Sequence, residues 1–179
     1  MTQPTDSAAS LLALLHHERE NLLAQFASTR ESTRAVSAGA GESGWSAAQI
    51  IEHCARVEGN VARMIAKGSE MPRTATAAEL QSAVLTARTI GWVRDRTTKV
   101  EAPERVQPTG TLDADAALAQ LQASRGALLA AFTTADDATL DGVAFPHPFL
   151  GPLTLRSWVE LTAHHDARHA VQMAELLSA

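Results

Sequence analysis

His165 and His169 stand four apart in the last long apolar-periodic stretch of the chain, residues 153–173. On an α-helix that spacing puts two side chains about 40° apart around the axis and about 6 Å apart along it. The imidazoles project side by side, within reach of one ion. Zinc, nickel and iron all accept neutral imidazole, with zinc–nitrogen bonds of about 2.0–2.1 Å. On a helical wheel both histidines join the stripe Trp158, Leu161, His165, His169, Gln172 and Leu176, which is mostly apolar and expected to face a core. His164 joins Glu160, Arg168 and Glu175 on a charged stripe expected to face water. A pair of this kind taken alone also reads as two hydrogen-bonded core histidines.

A catalytic ion usually has three protein ligands, so a third has to come from elsewhere. His53 is the best candidate. It shares one face of a second helix with Ile50, Val57, Val61 and Met64, and therefore points inward. Glu52 and Glu58 lie on other faces of that helix and are expected to be solvated. His147 sits between Pro146 and Pro148 in a proline-rich stretch, where it could reach an ion or a substrate. His16 borders the apolar face of the first helix without a partner at ligand spacing. Cys54 adjoins His53 but lies about 100° round the helix, which makes it a poor fourth ligand.

The elements that must position these residues read as helices. Thr5 or Asp6 can cap a first helix running to about Arg30, with Leu11, Leu12, Leu15, Leu22, Leu23 and Phe26 on its buried face. Glycines 39, 41 and 44 then interrupt the chain. Ser46 and Gln49 form a capping box for the second helix, Trp45 can staple onto Ile50, and Gly68 reads as the stop near Lys67. Residues 77–88 read as a third helix that continues toward Arg96. Asp113 or Thr111 caps the next, from Asp115 to about Thr133. Residues 136–152 read as a loop by their prolines and glycine, and Thr154 caps the last helix. Four long amphipathic helices with long connections make an all-α, four-helix bundle with crossovers the expected fold, in a single domain over residues 1–179.

Composition narrows the partners. The 179 residues carry a net charge of −5 and no basic stripe, which argues against nucleic acid and an anionic membrane surface. One cysteine cannot build an internal disulfide, a Cys-rich zinc site or a Cys-x-x-Cys pair. With no basic leader or apolar span at the start, a cytoplasmic location is expected. His-Glu-x-x-His, Glu-x-x-His, the Walker phosphate loop and Gly-x-Ser-x-Gly do not occur. Mononuclear, histidine-based metal chemistry is what remains.

Three stretches then resemble a known family. Gly44-Trp45-Ser46 leads into Ile51-Glu52-His53, Pro148-Phe149-Leu150-Gly151-Pro152-Leu153-Thr154 precedes the last helix, and His165-Asp166-Ala167-Arg168-His169-Ala170-Val171-Gln172 lies within it. In order and spacing they are similar to the DinB-like superfamily of metalloproteins, over nearly the whole chain. The resemblance implies a four-helix bundle holding one divalent metal, Zn, Ni or Fe, on His53, His165 and His169. Gln172 would orient a ligand or a water. It also implies a homodimer and a small-molecule substrate, with a low-molecular-weight thiol such as bacillithiol or mycothiol among the family's co-substrates. Two functions follow as expectations: a metal-dependent thiol S-transferase or hydrolase, or a non-catalytic dimeric stress-related module with a structural or vestigial metal site.

Overall fold

Helix α1 spans Ala8–Arg30, α2 Ala47–Ser69, α5 Ala114–Thr134 and α7 Leu155–Ser178, and these four form the bundle. The computed structural model describes residues 7–30, 44–72 and 75–178. In it α2 packs along α5 and α1 along α7, with α2 and α7 in contact across the centre. The expected caps Thr5 and Asp6 and the glycines 39 and 41 lie outside the described residues. At the start of α1, Ser7 Oγ accepts the Ser10 amide at 3.1 Å. Ser46 and Gln49 make the expected reciprocal capping box of α2, Asp113 caps α5, and Thr154 Oγ1 accepts the Ser157 amide at the head of α7.

The connections hold more structure than their composition suggests. The expected third helix is two short ones, α3 (Ala77–Ser82) and α4 (Ala87–Arg94), because Thr86 and Thr89 form a new capping box where a single helix would have continued. Residues 136–152 are not a loop. They hold α6 (Asp137–Gly142) and a hairpin of β1 (Ala144–His147) and β2 (Gly151–Thr154). Gly151 takes φ +78°, the left-handed conformation that closes a three-residue hairpin loop. The hairpin is moored by Trp158 Nε1, which donates to the Phe145 carbonyl at 3.2 Å, and by the Thr154 amide on the Ala83 carbonyl at 2.8 Å.

The core has two apolar halves. One is built on Leu11, Leu15, Val61, Ile65, Leu128, Phe132, Leu155 and Val159; the other on Leu22, Phe26, Ile50, Ile51, Leu121, Ala170 and Met173. Between them, one charged residue from each bundle helix meets in a buried lattice. Asp166 Oδ2 accepts from Arg19 Nε at 2.9 Å and Arg125 Nη2 at 3.1 Å. Glu58 accepts from Arg19 Nη2 at 3.2 Å, from Ser124 Oγ at 2.8 Å and from Arg125 Nε. Glu58 is therefore not solvated as expected but 1% exposed. Glu52 is buried too, with Oε1 accepting the Thr109 amide at 2.8 Å.

Gly68 does not end α2. It lies inside the helix, and a Cβ there would sit 2.5 Å from Leu155 Cδ1 at the start of α7. Leu155 is fully buried and has nowhere to retreat. Gly68→Ala is therefore expected to destabilise the protein by about 1–3 kcal/mol, despite alanine's better helix propensity. Urea unfolding curves measure it, and an unchanged midpoint would refute the close packing.

Candidate metal centre

The three histidines selected by helical spacing meet in space. His53 Nε2 and His169 Nε2 each lie 3.1 Å from His165 Nε2, the central ring. All three donor atoms fall within 4.8 Å of one another. His53 comes from α2; His165 and His169 lie one turn apart on α7. His169 is fully buried and His53 nearly so, whereas His165 keeps partial exposure where it lines a cavity.

The far side of two rings is fixed by oxygen. His53 Nδ1 donates to the Val106 carbonyl at 2.7 Å, and His169 Nδ1 donates to Gln172 Oε1 at 2.6 Å. Because these partners accept, the ring protons of both residues sit on Nδ1, and both Nε2 lone pairs are directed at His165. A single proton on His165 Nε2 answers one of them; one divalent ion answers all three rings. Tetrahedral bonds of about 2.0–2.1 Å set neighbouring nitrogens about 3.3–3.4 Å apart, close to the observed 3.1 Å. Burial, and behind it the neighbouring imidazoles, holds His165 and His169 well below the ordinary histidine pKa, which keeps them in the neutral, ligating form. The donor set fits a divalent metal.

Gln172 thus lies behind His169, on the side of the ring away from His165. The Val106 carbonyl lies likewise behind His53, from a 3-10 turn at Glu104–Val106 that helical periodicity could not reveal. Trp45, expected only as a staple, also packs its ring on His53 with centroids 4.7 Å apart. His147 does not join the three converging histidines. Its Nδ1 accepts the amides of Phe149 and Leu150, both at 3.2 Å, within the hairpin loop. Its ring lies against Trp158 at 4.9 Å, and burial, then Arg105, lowers its pKa to about 4. His147 lines the cavity beside His53 and His165. His16 is exposed on α1.

The middle of the stripe expected to face water is covered, while Glu175 at its end is exposed as expected. His164 is 6% exposed and Arg168 7%, because α4 and the segment after it pack on that side of α7. Arg94 Nε donates to His164 Nδ1 at 3.0 Å, and Arg168 donates to the carbonyls of Val93, Asp95 and Thr98. His164 remains apart from the three converging histidines. Cys54 and Asp166 come within 4.8 Å of a ring nitrogen of His165. Asp166, however, is already bound by two guanidiniums, and burial raises its pKa against the pull of Arg19.

Residues 14–173 match the family model of the DinB superfamily. Over 133 residues the chain is 26% identical to the uncharacterized protein YuaE of Bacillus subtilis (strain 168), covering 74% of this chain and 76% of that protein. Its fold is similar to the crystal structure of TT2238, a four-helix bundle protein, with a TM-score of 0.60. That likeness covers 94% of this chain and 99% of TT2238 at 24% identity, and speaks to the fold. Among the described residues no helix is long and apolar enough to cross a membrane.

Proposed function

This chain belongs to the DinB superfamily, and we propose from its three converging imidazoles that it is a metal-dependent enzyme of the thiol S-transferase or hydrolase type. His53, His165 and His169 hold the ion, which when bound supplies a Lewis acid that lowers the pKa of a water or thiol. The observation that carries the reading is the pair of Nε2 lone pairs on His53 and His169, both turned on His165 by oxygen acceptors behind them. Gln172 and the Val106 carbonyl keep those rings in one tautomer and one orientation. The cavity beside His53 and His165, walled mostly by apolar side chains, gives a small-molecule substrate a way to the ion. A homodimer in solution is part of the proposal, to be read by sedimentation equilibrium.

The alternative, a non-catalytic module keeping an ion for structure, calls for a closed set of four protein ligands. An access cavity that reaches two of the three histidines favours the open, catalytic arrangement.

Metal content tests the reading. Untagged protein incubated with Zn, Ni, Fe or Mn salts and then desalted is expected to retain about one equivalent by mass spectrometry, lost in His53→Ala and His169→Ala. No retained ion from any salt would end the enzyme proposal.

A further inference from the structure

The cavity beside the histidines carries more than access. Its buried walls are Val93, Trp158 and Leu161, and the rings of Trp92 and Phe149 stand over it at 38% and 51% exposure. The rings follow one another outward: Trp158 to His147 at 4.9 Å, His147 to Phe149 at 6.0 Å, Phe149 to Trp92 at 6.2 Å. The space is about 130 Å³. A cavity of about 150 Å³ holds one benzene ring, so this one suits a single ring and excludes a helix or peptide.

Charge selects the other end of the ligand. Three imidazoles bring no negative charge to a divalent ion, so its charge is left for the ligand to answer. The buried lining cation, Arg168, adds to that field, while Glu101 and Arg105 on the lining are exposed to water. An apolar body fits the walls, and one anionic donor fits the histidine end.

We propose that this cavity binds a monocyclic aromatic compound bearing one anionic donor, a carboxylate or thiolate, with its ring among Trp92, His147, Phe149 and Trp158 and its donor toward the histidines. The proposal deepens the metal-enzyme reading and rests on it for the donor end alone. Trp92 and Trp158 report occupancy by their own fluorescence.

The experiment pairs metal content with binding on the same samples. In zinc-loaded protein, benzoate is expected to bind on the order of tenfold or more tighter than acetate. Trp92→Ala and Phe149→Ala, both partly exposed, should weaken benzoate several-fold, about 3–10-fold, with zinc content unchanged. Equal affinity for benzoate and acetate, or variants that bind as the wild type does, would overturn the aromatic assignment while leaving the metal site standing. Benzyl alcohol probes the ring site without metal: saturation-transfer NMR should show it on metal-free wild type and lose it in the Trp92→Ala/Phe149→Ala double variant. If no ion is retained but benzyl alcohol still binds, the metal reading and the anionic donor fall and the ring site stands. If benzyl alcohol shows no transfer, the ring site falls as well.

Discussion

Glu58→Ala is expected to lower the unfolding free energy by about 3–5 kcal/mol, one of the largest losses any single replacement in this chain should produce. Glu58 is 1% exposed and takes hydrogen bonds from Arg19, Arg125 and Ser124. Its removal leaves two guanidiniums between the apolar halves of the core with Asp166 as their one remaining carboxylate in the lattice. The cost is mostly the uncompensated buried charge, not the lost attraction. Against a typical total of about 5–15 kcal/mol, such a loss brings the protein near unfolding at ordinary temperature. Urea denaturation followed by circular dichroism measures it. Glu58→Gln keeps the shape and some acceptors but not the charge, and should fall between wild type and Glu58→Ala. A loss under about 1 kcal/mol for Glu58→Ala, a value usual for exposed pairs, would show that water reaches the lattice.

That lattice marks the boundary of what the sequence disclosed. Periodicity found His53, His165 and His169 because an inward-facing polar residue among Ile50, Val61, Trp158 and Leu161 stands out against its neighbours. The same rule assigned Glu58, His164 and Arg168 to water, since a charged stripe normally marks the solvated face. It failed for Glu58 because Arg19 of α1 and Ser124 and Arg125 of α5 close over it, and for His164 and Arg168 because α7 has no solvated face through its middle: α1, α2 and α4 all pack on it. The cover on the His164 side comes from α4, which periodicity alone joins to α3 as one longer helix. Had the break at Thr86 been placed, Arg94 would still have needed its partner from 70 residues away, and a helical wheel holds no such distance. The hairpin was missed for another reason. Pro146 and Pro152, which face each other across it, argue against strands in a sheet, yet a two-stranded ribbon has only edges and tolerates them.

The most direct test of the proposed metal centre sets two adjacent residues against each other. His165→Ala removes the central ring, the one within 3.1 Å of both other Nε2 atoms. Two imidazoles cannot hold a divalent ion as three do, and metal retained after desalting is expected to fall from about one equivalent to near zero. His164→Ala leaves all three ligands in place and should retain metal at the wild-type level. Because His164 is buried and accepts from Arg94 at 3.0 Å, its loss should instead cost stability. About 0.5–1.5 kcal/mol is the expected size for a part-buried hydrogen bond lost while Arg94 stays partly exposed. The two variants therefore separate two readouts: His165→Ala acts on metal content, and His164→Ala on the urea midpoint at constant metal content. Equal loss of metal in both would mean that the ion is held by the local integrity of α7 and not by the imidazole of His165, and the three-histidine assignment would fail.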